Sequence, residues 1–216
     1  MNDDFDIILV RHGETEVNRR GAFQGSIDAP LGSAGFDQAT RLRAALDVDP
    51  DADYVVASTQ LRARQTASRL LGHDDVPDDG SLPAGLRQVD AGLREVDFGP
   101  WEDRTNEEIV ALDPVGFAAY HANDLYRFPG GERTDEAAAR ALESIDAHAA
   151  EARAAGARRA VLVTHGTLIR LAATALLGLP SHRYRALFRR PDHCSWARFT
   201  TDGTSWRLDT YNRAAP

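Results

Sequence analysis

The 216-residue chain carries 25 basic residues, every one an Arg, against 33 acidic ones, for a formal net charge of −8. With 43% hydrophobic and 27% charged residues it reads as one globular domain spanning 1–216, acidic enough to exclude nucleic acid and anionic membrane as partners of the surface as a whole. The absence of Lys excludes Schiff-base and P-loop lysine chemistry, and the single Cys, Cys194, excludes internal disulfides, CxxC pairs and Cys-rich zinc sites.

In chain order, Met1–Phe5 is acidic and lacks the apolar stretch of a signal peptide, and no later run approaches the roughly 20 apolar residues of a membrane span. Cytoplasm is therefore the expected compartment. Ile7-Ile8-Leu9-Val10 is a continuous apolar run, the pattern of a strand buried on both faces. Ser33 can cap a helix to about Leu46, and Tyr54-Val55-Val56-Ala57 reads as a second strand. Ser58 or Thr59 then caps a helix that Gly72 closes. Residues 73–85 form a loop, and a weak strand lies within Leu86–Leu93. Helix is expected from Thr105 to Asn123, interrupted at Asp113-Pro114. A long helix runs from Thr134 to Gly156 with its apolar stripe on Ala138, Leu142, Ile145, Ala149 and Ala152. Ala160-Val161-Leu162-Val163 is another buried strand, Thr167–Leu177 another helix, and Ser195–Thr200 with Trp206–Tyr211 a closing hairpin around Asp202-Gly203. This alternation predicts an α/β three-layer sandwich, a mostly parallel six-stranded sheet with helices on both faces.

One echo carries chemistry. Leu9-Val10-Arg11-His12-Gly13 and Leu162-Val163-Thr164-His165-Gly166 each place His-Gly straight after a buried strand. The carboxyl ends of such strands line the ligand crevice of open α/β sheets, so His12 and His165 face one another if their strands are neighbours. Either His alone would be unremarkable; the pair, with Arg11 alongside, marks a site. Arg62 falls in the first turn of its helix, where guanidinium and free helix N–H groups could serve one anion. Taken alone, Arg62 and Glu95 are ordinary surface residues.

With these residues in order, the chain resembles the histidine phosphatase superfamily, the phosphoglycerate-mutase-like enzymes, over almost its whole length. The resemblance rests on Leu9 to Asn18, Gln24-Gly25 with Pro30-Leu31, Ser58 to Ala67 read as S-x-x-x-R-A-R-Q-T-A, Glu95 to Trp101, Pro129-Gly130-Gly131-Glu132, and Val163-Thr164-His165-Gly166. It implies that His12 is the nucleophile of a phosphohistidine mechanism and Glu95 the proton donor. Arg11, Arg62 and His165 would hold the phosphoryl oxygens with help from Asn18, while Gln24, Gly25 and Gly166 complete the substrate-binding set. It implies a chemistry without metal or other cofactor, and no HxH or HExxH spacing occurs in the chain. Val17, Gly32, Thr164 and Thr167 depart from the residues frequent at their positions without removing a charged group. His193 stands where Asn is frequent and is expected to be a packed or solvated strand-end residue, and Cys194 a small buried one.

Asp97-Phe98-Gly99-Pro100-Trp101 is similar to the phosphatase branch, and only Arg104, Arg127 and Arg133 are basic between Glu95 and Thr134. A mutase must retain a bisphosphate while it reorients, which calls for more positive charge. Hydrolysis of a small phosphorylated metabolite is thus expected, with a phosphoglycerate-type mutase and a non-catalytic phospholigand-binding domain as the alternatives. Segment 104–128 is expected to cover the pocket as a helical cap, with Trp101, Phe117, Tyr120, Tyr126 and Phe128 as an apolar wall or as core. His73, His121, His148 and His182 are read as surface or helix residues, and a homodimer is compatible with the sequence.

Overall fold

A computed structural model describes residues 4–77, 81–122 and 126–215; Met1 to Asp3, the middle of the 73–85 loop and the expected helix end at Asn123 lie outside them. Six strands form one sheet in the order β3-β2-β4-β1-β5-β6: β1 (Phe5–Arg11), β2 (Asp53–Ser58), β3 (Leu86–Asp90), β4 (Arg159–Thr164), β5 (Trp196–Thr201) and β6 (Trp206–Arg213). β1 and β4 are parallel neighbours, with Leu9 opposite Leu162 and Arg11 opposite Thr164, so His12 and His165 leave the sheet at the same level.

The apolar runs of the central strands follow from their position. Ile7, Leu9 and Leu162 face the core under α6 (Thr134–Ala154) and α7 (Gly166–Leu176), while Ile8, Val10, Val161 and Val163 face the core under α2 (Ser33–Leu46) and α3 (Leu61–Leu70). Each such side chain contributes about 1.5–3 kcal/mol relative to an exposed one. The remaining helices are short: α1 (Glu16–Arg19), α4 (Asn106–Leu112), α5 (Pro114–Ala122) and α8 (Tyr184–Leu187).

Three expectations need correction. The sheet is mixed, because β1–β5 and β5–β6 are antiparallel, while the parallel part is confined to β3, β2, β4 and β1. A tight turn at Asp202-Gly203 can return a strand only antiparallel to its predecessor. Neither Ser58 nor Thr59 caps α3. Gln60 occupies the N-cap without a side-chain bond, and Asp28 Oδ1 accepts the Leu61 N–H at 2.6 Å from a distant loop. The first-turn N–H groups are therefore not all free for an anion, and the Ser58 hydroxyl is released for another partner. His148 lies in a helix as expected, yet it is buried, with Nε2 2.8 Å from Asp90 Oδ2.

Candidate active site

His12 continues the β1–β4 ladder by one bond, its N–H donating to Thr164 O at 3.0 Å. A Cβ at Gly13 would lie 2.5 Å from Gly35 O, so only glycine lets the start of α2 pack against this turn. His12 Nδ1 lies 2.7 Å from Gly13 O. A carbonyl only accepts, so Nδ1 carries the proton and Nε2 holds the lone pair. Burial, then the charges of Arg62, His165 and Arg11, hold His12 well below the usual imidazole range. Nε2 is therefore a neutral nucleophile in the working pH range, and it faces the Arg62 Nε–H at 3.2 Å.

Arg62 is wholly buried and, among the described residues, bonded to no carboxylate. Its donors go to Ile27 O at 2.7 Å, Gly25 O at 2.9 Å and Gln60 Oε1 at 3.1 Å, and burial lowers its pKa to about 10. Arg11 is 4% exposed and reaches Pro191 O at 2.6 Å and His193 Nε2 at 3.2 Å, while its Nε has no partner among the described residues. Burial, then Arg190, lower it to about 9. Two buried guanidiniums satisfied only by neutral groups leave positive charge to be matched, which is the electrostatic definition of an anion site.

His165 is fully buried with its ring centroid 5.1 Å from that of His12. Its Nε2 meets the released Ser58 hydroxyl at 2.8 Å, and Nδ1 is buried without a partner among the described residues. Burial and the charges of Arg62 and Arg11 keep it neutral. Gly166 gives Arg11 room, since a Cβ there would lie 3.1 Å from Arg11 Nε and press on that guanidinium.

Glu95 is held in a way its loop position does not reveal. Oε1 accepts from Val96 N–H at 3.0 Å and Leu168 N–H at 3.1 Å, and Oε2 from Thr167 N–H at 3.1 Å. The carboxylate thus caps α7, whose own N-cap, His165, supplies no side-chain bond. Helix α7 aims the acid, and Oε2 keeps one lone pair for a proton.

Arg11, His12, Asn18, Gln24, Gly25, Arg62 and Glu95 line a single cavity of about 230 Å³. Asn18 Oδ1 takes the Thr15 N–H at 3.3 Å, which leaves its NH2 to offer, and Gln24 Nε2 is buried without a partner among the described residues. Gly25 contributes by anchoring Arg62 and Gln60 through its carbonyl. His165 and Gly166 stand behind the wall, outside the lining. Of the five aromatics only Tyr120 reaches the cavity, and Trp101 and Phe128 are core. His193 is half-buried, its ring centroid 5.9 Å from that of His12, bridging Arg11 and the His12 carbonyl.

Sequence reasoning missed Phe23, Phe98, Asn106, His121, Arg170 and Arg190, which complete the lining with Tyr120, Thr167, Gly21 and Ala22. Helical spacing could have found Arg170, which follows Gly166 by one turn. Nothing local flags Arg190, brought in by the chain after α8. Among the described residues no group of three or more His, Cys, Asp or Glu is placed to hold a metal ion, and no helix is long and apolar enough to cross a membrane.

Comparison with known proteins identifies what this chain is similar to. The profile of the histidine phosphatase superfamily (branch 1) matches residues 7–214. A glucosyl-3-phosphoglycerate phosphatase of Mycolicibacterium vanbaalenii is 30% identical over 97% of this chain and 95% of its own. An adenosylcobalamin/alpha-ribazole phosphatase of Escherichia coli is 28% identical over 80% of this chain and 79% of its own. A mycobacterial glucosyl-3-phosphoglycerate phosphatase solved with VO3 superposes with a TM-score of 0.81 at 29% identity, covering 97% of this chain and 100% of that one.

Proposed function

The chain belongs to the histidine phosphatase superfamily, branch 1, and on that premise we propose that it is a metal-independent phosphatase hydrolysing small phosphomonoesters through a phosphohistidine on His12. The observation that carries the reading is the neutral Nε2 of His12 facing Arg62, with Arg62 and Arg11 both buried and, among the described residues, hydrogen-bonded to neutral groups and to no carboxylate. A phosphoryl dianion supplies the missing charge. Its oxygens take the N–H groups of Arg62, Arg11, Asn18 and Gln24, and the unpartnered Nδ1 of His165 stands behind them. Catalysis of phosphoryl transfer is mainly such positioning and charge stabilisation.

In the first step His12 Nε2 bonds to phosphorus, the ester P–O bond breaks, and protonated Glu95 gives its proton to the departing oxygen. In the second a water attacks phosphorus, Glu95 takes its proton, the N–P bond breaks and inorganic phosphate leaves. His12 returns to its neutral Nδ1–H form. Arg104, Arg127 and Arg133 are engaged elsewhere, with Pro100 O, Glu136 and Asp135 respectively, so the stretch between Glu95 and Thr134 brings no cation to the cavity, which supports hydrolysis over mutation as far as that stretch is concerned. Helices α4 and α5 serve as the cap, supplying Asn106, Tyr120 and His121 to the cavity.

Acid quench after mixing with ³²P-labelled phosphomonoester tests the reading: an acid-labile, base-stable phosphoprotein is expected, and turnover should survive EDTA. Turnover with no trapped phosphoprotein under burst conditions, or lost to EDTA and restored by metal, overturns it.

A further inference from the structure

The chemistry of His12 and Glu95 leaves the turn Pro129-Gly130-Gly131-Glu132, just before α6, without a role. It packs against the backbone that follows the proton donor. A Cβ at Gly131 would lie 2.4 Å from Asp97 O, so only glycine allows the approach, and the Glu132 N–H donates to that same oxygen at 2.9 Å.

The Glu132 side chain meets Arg140 on α6. Arg140 Nε donates to Glu132 Oε1 at 3.0 Å and Nη2 to Oε2 at 2.8 Å, a two-pronged pair in which both partners are half-buried. The remaining nitrogen, Nη1, donates to Gly92 O at 2.7 Å and Arg94 O at 3.1 Å. Arg94 adds a second guanidinium, its Nη2 3.3 Å from Glu132 Oε1.

Glu95 sits between these two grips. Arg94 to Phe98 is neither helix nor strand, so its backbone polar groups need partners from elsewhere. Arg140 holds the carbonyls of Gly92 and Arg94 on one side, and Glu132 holds that of Asp97 on the other. Helix α7 fixes the carboxylate oxygens, yet they reach both its N–H groups and the leaving oxygen only from a fixed backbone. A misplacement of about 1 Å can cost about a hundredfold in rate.

We infer that the Glu132–Arg140 pair is the positioning device of the proton donor, clamping the backbone on both sides of Glu95 so that its carboxyl meets the departing oxygen. Neither residue lines the cavity, so both act through Glu95. This role rests on the phosphatase reading, in which Glu95 gives the proton.

The test compares kcat/KM for phenyl phosphate and p-nitrophenyl phosphate, since kcat/KM covers only the steps through phosphorylation of His12. Phenoxide is the more basic leaving group and needs the proton more. Arg140→Gln should lower the value for phenyl phosphate about tenfold or more and that for p-nitrophenyl phosphate less than about threefold. Glu132→Gln should act in the same direction, and the double variant should be no worse than Arg140→Gln alone, as for one device. Arg140→Lys keeps a charge beside Glu132 and so protects the fold. One ammonium cannot hold the carboxylate and both carbonyls, so the preferential loss of phenyl phosphate should persist. Arg158→Gln is the stability control: it breaks a pair with buried Asp53 at the opposite end of the sheet, and should lower the melting temperature without changing the ratio of the two esters. Equal losses for both esters, or none, in folded Arg140→Gln or Arg140→Lys overturn the inference and leave the phosphatase reading intact, the pair then serving stability alone. Equal losses in Glu95→Gln itself overturn the proton-donor reading, and the clamp with it.

Discussion

The two walls of the cavity are built differently. The wall around His12 stands on the ends of β1 and β4 and the starts of α3 and α7, and its groups are buried and tied by named bonds: Arg62 to two carbonyls and Gln60, Glu95 to three N–H groups, His12 to Gly13 O. The other wall is assembled from α4 and α5, and Asn106 and His121 on it are exposed. A rigid wall suits chemistry, where small displacements cost rate. A looser wall suits selection, because it can change without disturbing the reacting atoms. Substitutions on the first wall should therefore cut rate by orders of magnitude, and those on the second should act mainly on affinity or local order.

The largest effect is expected from His12→Ala. Turnover of p-nitrophenyl phosphate should fall at least about 10⁴-fold, because both covalent steps vanish, while thermal unfolding stays close to wild type. A near-normal rate in this variant would remove the rigid wall's claim to the chemistry.

Glu95→Gln comes next. An alkyl alcohol leaves as a strongly basic alkoxide and needs the proton, so phosphorylation by a glycerol or sugar phosphate should slow about 10²–10⁴-fold. A nitrophenolate needs it far less, so the same step with p-nitrophenyl phosphate should lose much less. The amide also meets the Thr167 and Leu168 N–H groups, where its NH2 cannot accept, so part of the loss is loosening of α7's first turn. Rapid-quench rates for both substrates separate the two contributions. Equal losses would assign Glu95 to holding α7, with the proton coming from elsewhere.

The chain's legibility follows the same divide. The strand runs, the His-Gly turns and the Arg of the S-x-x-x-R stretch are contiguous patterns, so β1, β4, His12, His165 and Arg62 were readable from neighbours in sequence. The β5–β6 hairpin was readable at Asp202-Gly203, but the antiparallel pairing of β5 with β1, the capping of α3 by Asp28 and the burial of His148 against Asp90 depend on partners far away in sequence and left no local mark. Glu95 shows the limit: its motif was readable, but its anchoring by α7, whose bonded N–H groups lie 72 and 73 residues further on, was not.

His193 sharpens the boundary, because it touches no cavity surface yet holds Arg11. His193→Ala should raise the Ki of inorganic phosphate about tenfold, the worth of one hydrogen bond to a charged group, with a smaller fall in kcat. Its pH signature is separate. Burial, then Arg11 and Arg190, lower His193 to about 3, below an unfolded value near 6.5. The neutral ring therefore contributes stability that is present above about pH 6.5 and is lost as pH falls toward 3. Denaturant midpoints measured across that window should fall less steeply for His193→Asn than for wild type. Parallel curves would mean that the ring titrates freely and does not clamp Arg11.

The smallest effect probes whether the proposed cap belongs energetically to the rest. Thr105 opens α4 with a capping box, accepting the Glu108 N–H on Oγ1 while Glu108 Oε2 accepts the Thr105 N–H at 2.8 Å. Thr105→Ala removes about 1 kcal/mol of helix-start stability. Were α4 to unfold only with the whole chain, that loss would lower the melting temperature by about 2–4 °C. Helix α4 has seven residues and exposes Val110 and Leu112, and Val115 on α5 is 79% exposed, so Ile109 and Tyr120 are the main anchors inward. So few buried contacts predict local opening. Amide exchange across 106–122 should accelerate about fivefold with the melting temperature unchanged within a degree. A full drop in melting temperature without faster local exchange would join the two walls into one cooperative unit, and selectivity would then be as costly to alter as chemistry.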